Sequence, residues 1–175
     1  MSRIRDRVLL GVVSGIISAI PGRIINTIEY HSGLTDRKYG QLAGSLFTDN
    51  IRSPQGKLLG SLANQALTAA FGTSVVYTLS ATGKDHAALK GAAVGSLYWF
   101  GLFGLSNRLG ITSKSKKPLT PLLSLVDHII FGVTNGILAA KLGHASLFPD
   151  QLPAEDDEKL PLFSADQTGN ETYLH

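Results

Sequence analysis

The chain has no cysteine, so it has neither a disulfide framework nor a thiolate metal site, and its redox compartment leaves no mark in the sequence. Charge is scarce too. From Leu58 to Gly83, 26 consecutive residues include no Asp, Glu, Lys or Arg, which removes the charged face that a soluble amphipathic helix needs. Histidine occurs only at positions 31, 86, 128, 144 and 175, without the i, i+4 spacing of a metal pair. No Gly-x-Ser-x-Gly elbow and no phosphate-cradling loop is present. These absences speak against an enzyme and against a resident cofactor. The 16 Lys and Arg, in a chain of net charge +3, are scattered among segment ends and form no patch, which argues against nucleic acid as a partner.

What is present is apolar length. Four stretches, residues 8–28, 58–82, 91–107 and 119–140, approach or exceed the about 20 residues that a bilayer-crossing helix needs. The expected fold is all-α: a four-helix transmembrane bundle over residues 1–145, with the lipid bilayer as its solvent and a multi-pass cell-membrane location. Arg3, Arg5 and Arg7 before the first stretch resemble the start of a secretory signal. However, no small-x-small cleavage site closes the run and Pro21, Gly22 and Arg23 interrupt it, so a retained first helix is expected. Seven of the 13 acids lie from Asp150 onward, and residues 146–175 read as a disordered acidic tail. Sidedness is not encoded: seven Lys and Arg fall on one side of a four-span bundle and eight on the other.

Within the first connection, Thr35 is placed to cap a helix whose apolar face is Tyr39, Leu42, Ala43, Leu46 and Phe47, opposite Arg37, Lys38 and Gln41. This is either a short interfacial helix or a loop packed on the bundle, since two glycines interrupt the pattern. Pro21 is expected to kink the first span. Trp99, in the middle of the third, is expected to pack on neighbours or to donate its N–H to a buried acceptor.

Polar groups inside apolar spans cost free energy and so tend to be paired or functional. Arg23, Asn64, Gln65, Asp127 and His128 all fall toward the side of the first and third connections, and can form one polar layer. Two readings follow. Either Arg23 and Asp127 neutralise each other as a clamp between the first and last spans, or the layer binds a small ion or relays protons. Small residues supply the packing faces: Gly11 and Gly15 on the first span, Gly132, Asn135 and Gly136 on the last. The latter stripe serves either intrachain packing or a homo-oligomer seam. Gly11-x3-Gly15 and Gly91-x3-Gly95 occupy matching places, as do Phe71-Gly72 and Phe131-Gly132, the pattern of two helical hairpins in tandem.

The run Pro121-x2-Ser124-x3-His128-x2-Phe131-Gly132-x3-Gly136, with the Gly-rich third span around Trp99, resembles small four-span integral membrane proteins of Gram-positive bacteria that carry no assigned function. The resemblance covers roughly residues 1–145 and implies a bacterial inner-membrane location, without an activity. The expected role is a structural or accessory membrane component acting through protein contacts. The alternative is a small ion- or proton-coupled transporter or channel built on the polar layer.

Overall fold

The computed structural model describes residues 3–48, 50–111 and 115–149. Five helices account for most of them: α1 (Arg7–His31), α2 (Tyr39–Gly44), α3 (Pro54–Thr82), α4 (Ala87–Arg108) and α5 (Thr120–Leu142). Three of these, α1, α4 and α5, are long and apolar enough to cross a membrane. The second expected span, now α3, has the length at 29 residues, but its Ser, Thr, Asn and Gln make it less apolar than the other three. The expected tail lies almost wholly in residues 150–175, outside the described part of the chain.

Local chemistry sets the helix ends. The Asp6 carboxylate accepts from the Leu9 amide at 2.6 Å and starts α1, and Ser53 accepts from Gly56 at 3.0 Å to start α3. Between α3 and α4 the chain reverses through Gly83 (φ 87°) and His86 (φ 50°). There the Lys90 ammonium donates to the Thr82 and Gly83 carbonyls at 2.9 and 3.0 Å and to Asp85 at 2.6 Å, satisfying carbonyls that the end of α3 leaves open. Helix α1 continues through Pro21, which lies on its exposed face.

Two crossings repeat one another. Gly11 and Gly15 of α1 sit against Thr68, Gly72 and Thr73 of α3, and a Cβ on Gly72 would overlap the Gly11 carbonyl oxygen. In the second, Gly91 and Gly95 of α4 sit against His128, Gly132 and Gly136 of α5, and a Cβ on Gly132 would overlap the Gly91 carbonyl oxygen. The hairpins meet where Phe71 and Phe131 touch edge to face, their ring centroids 4.3 Å apart. Across the other interface, the fully buried Ser14 donates to the fully buried Asn135 at 3.2 Å, joining α1 to α5.

One end of the bundle is densely packed. Leu10, Val75, Val76 and Leu79 have no exposure there, and Leu147 and Phe148, which the sequence reading assigned to the tail, fill the same core. The bundle therefore extends past residue 145. Ile4 lies alongside: its amide donates to Leu142 O at 2.9 Å, and its carbonyl accepts from the His144 amide at 2.8 Å. At the opposite end Asp36 ties the first connection to the third, accepting from Ser115 Oγ at 2.7 Å and the Lys116 amide at 2.9 Å.

Burial opposes ionisation of Asp36, but the Lys116 amide, the Ser115 hydroxyl and the Arg37 guanidinium outweigh it and hold the carboxyl below its ordinary 3.8. A carboxyl lowered on folding adds stability in full above its unfolded value and loses it as pH falls through the lower folded one. Between about pH 6 and about pH 3 the melting midpoint should therefore fall less for Asp36→Ala than for wild type. At neutral pH that variant should be less stable by about 2 kcal/mol. Parallel pH curves for the two proteins would refute the tie.

Candidate functional site

Toward the Asp36 end the helices diverge around a half-enclosed cavity of about 130 Å³. Four of the five polar-layer residues line it, Arg23 from α1, Asn64 from α3, and Asp127 and His128 from α5, and the fifth, Gln65, reaches it by accepting a hydrogen bond from the Arg23 guanidinium. The remaining wall is mainly apolar, with Leu67, Phe71, Leu102 and Phe131 prominent. Tyr98 stacks on Phe71 with centroids 4.4 Å apart and shares a 2.8 Å hydrogen bond with Ser74 Oγ.

The direct Arg23–Asp127 pair expected from sequence is not formed. Asp127, 3% exposed, instead accepts a 2.5 Å hydrogen bond from the Tyr39 hydroxyl on Oδ2, while Gln65 takes the guanidinium. The reason is that α2 folds back against the bundle and inserts a hydroxyl beside α5. This leaves two polar atoms without a partner, Arg23 Nε and Asp127 Oδ1. Although they neighbour each other in sequence, Asp127 and His128 both border the cavity. His128 Nδ1 lies 2.7 Å from the Ser124 carbonyl, so Nδ1 carries the proton and Nε2 of the neutral ring is an acceptor.

Tyr39 is the site residue that sequence reasoning missed. It was placed on the apolar face of the α2 pattern, and its polar tip was the available sign. It is fixed at both ends, its amide donating to Asn26 Oδ1 at 3.1 Å and its hydroxyl to Asp127. Burial, followed by the nearby Asp127 carboxylate, raises its hydroxyl well above the ordinary 10, so it remains a donor at all ordinary pH. Helix α2 can reach this position because Gly40 and Gly44 cross Gly60 of α3 backbone to backbone. The two glycines that seemed to disqualify the helix are its contact. The expected Thr35 cap is absent; the Gln41 side chain accepts from the Lys38 amide at 3.0 Å instead.

Helix α4 contributes a second unforeseen feature. Over Phe100–Leu105 its hydrogen bonds widen to the π pattern, and Leu102 and Phe103 of this segment line the cavity. The sequence Phe-Gly-Leu-Phe-Gly-Leu, with two poor helix formers, is the visible trace. Trp99, just before it, donates Nε1–H to the Pro121 carbonyl at 3.1 Å. Behind Tyr39 a smaller cavity of about 20 Å³ is bordered by Glu29, Thr35 and Thr120, each with a side-chain oxygen lacking a partner.

The packing residues lie inside the chain. Gly11 and Gly15 meet α3, Gly132 and Gly136 meet α4, and Asn135 meets α1. No protein family, curated protein or solved structure matches the chain, so the resemblance rests on the run from Pro121 to Gly136 and the third span around Trp99.

Proposed function

We propose that the chain is a four-span protein of a bacterial cytoplasmic membrane and that the cavity holds a small ion or polar solute in transit, as in an ion- or proton-coupled carrier. The membrane reading is supported by an inverted distribution of side chains. On α1 the serines Ser14 and Ser18 are fully buried, whereas Ile24 and Ile28 are 56% and 60% exposed, and water would penalise that arrangement. Connectivity supports a fourth span. Asp36 joins the first connection to the third at one end, and Ile4 meets the end of α5 at the other, which favours a reading in which α3 crosses alongside α1, α4 and α5.

The carrier reading rests on one observation: Arg23 Nε and Asp127 Oδ1, buried and unpartnered, belong to residues that line the same apolar-walled cavity. Polar atoms left unpaired in such surroundings cost free energy unless a ligand completes them. The accessory reading drew on small-residue faces, and those faces are occupied within the bundle. Purified protein reconstituted in liposomes with a trapped pH dye and an imposed ion gradient should show flux above empty vesicles. Folded protein that gives no flux would refute the carrier reading.

A further inference from the structure

Resting on the carrier reading, we propose that the occupant is a small zwitterion, with its anionic end, a carboxylate or phosphate, on Arg23 and its ammonium on Asp127. A lone cation in this cavity would approach the Arg23 guanidinium, and a lone anion would approach the buried Asp127 carboxylate. Either would leave one protein charge without its complement in apolar surroundings. A molecule carrying both charges completes both groups and adds no net charge. The unpartnered atoms fit this division, because Arg23 Nε is a donor that suits a carboxylate and Asp127 Oδ1 is an acceptor that suits an ammonium.

The neighbours keep the same polarity. His128 lies beside Asp127 with Nδ1 committed to the Ser124 carbonyl, leaving an acceptor at the ammonium pole. Gln65 faces Arg23 with its carbonyl oxygen, which holds the guanidinium without neutralising it. Between the poles, Leu67, Phe71 and Phe131 offer apolar wall to an aliphatic body. The volume of about 130 Å³ is close to that of an engineered cavity known to take benzene, which limits the occupant to roughly six to eight heavy atoms. Short aliphatic amino acids fit, as does the ethanolamine phosphate group of a membrane lipid.

The test uses the full-length protein in phosphatidylglycerol nanodiscs, with thermal melting as the readout. The probes are glycine, β-alanine, γ-aminobutyrate and L-valine, together with the two halves of valine, isobutylamine and isovalerate. At least one zwitterion should raise the midpoint saturably, by about 5 °C at a hundredfold excess over Kd, while the two half-molecules leave it unchanged. Arg23→Lys should retain part of the shift, and Asp127→Asn and Arg23→Gln should each remove it. The wild-type comparison stands even if a variant fails to fold.

A shift with isobutylamine equal to that with L-valine would overturn the proposal in favour of a cation site, and an equal shift with isovalerate in favour of an anion site. Stabilisation in nanodiscs that contain phosphatidylethanolamine, with no response to the free amino acids, would uphold the zwitterion and identify a lipid headgroup as its source. Liposome flux without any zwitterion-dependent shift overturns the zwitterion alone. A shift without flux overturns the carrier and leaves the binding site.

Discussion

Gly132→Leu is expected to prevent the bundle from forming. At this crossing α4 and α5 touch backbone to backbone, and even one carbon on Gly132 would overlap the Gly91 carbonyl oxygen. The obstruction is main chain, so no rotamer change relieves it and the two helices must separate. Gly132→Ala should already cost about 3 kcal/mol, the upper part of the range for overpacking. The larger Leu should leave no cooperative melting transition. Gly22 is the internal control: it is helical and nothing lies within 4 Å of an added Cβ. Gly22→Ala should stabilise by about 0.5–1 kcal/mol through helix propensity. Equal effects at the two positions, measured as melting midpoints in detergent, would mean that α4 and α5 do not touch here.

The second large effect concerns Asp127. Its carboxylate accepts from Tyr39 through one oxygen and leaves the other free, so the substitutions separate fold from function. Asp127→Asn keeps a carbonyl oxygen for the Tyr39 hydroxyl and removes the charge; the protein should melt within about 1 kcal/mol of wild type. Flux in liposomes should fall roughly tenfold or more. Asp127→Ala removes the acceptor of the Tyr39 hydroxyl, a loss of about 2 kcal/mol. Tyr39→Phe should cost more, about 3 kcal/mol, because the group left without its hydrogen bond is a buried carboxylate. Removing both groups, in Tyr39→Phe with Asp127→Ala, should be milder than the Tyr39 change alone, since no polar group is then left over. Additive costs in that cycle would show that the two residues do not interact. Unchanged flux in a folded Asp127→Asn protein would remove Asp127 from any transport role.

Much of this architecture was legible because apolar length and glycine spacing are direct expressions of helix geometry. The matched pairs Gly11-x3-Gly15 and Gly91-x3-Gly95 mark the two crossings, since close backbone approach tolerates little else. The layer of Arg23, Asn64, Gln65, Asp127 and His128 followed from depth alone, as each residue lies a calculable distance from a helix end. Pairing was not legible. Whether Arg23 reaches Asp127 or Gln65 depends on helix rotation and on what folds into the gap, and the group that enters it, Tyr39, comes from a six-residue helix held by three glycines of weak pattern. The π segment was hidden because it replaces one hydrogen-bond register with another inside an unbroken apolar run. Leu147 and Phe148 were assigned to the tail because two apolar residues after Gly143 have no periodicity to place them.

The pairing of Ile4 with the end of α5 also bears on how sidedness can be determined. The described chain begins and ends at the same face of the bundle, where Lys84 also lies over the Phe148 ring, 5.9 Å from its centroid. A membrane-impermeant thiol label should therefore react in intact cells with both of the single variants Arg3→Cys and Pro149→Cys or with neither, since the chain has no cysteine of its own. Labelling of the turn around Asp36 should follow the opposite pattern. Two reporter sites thus determine the orientation that the near-equal division of Lys and Arg leaves open.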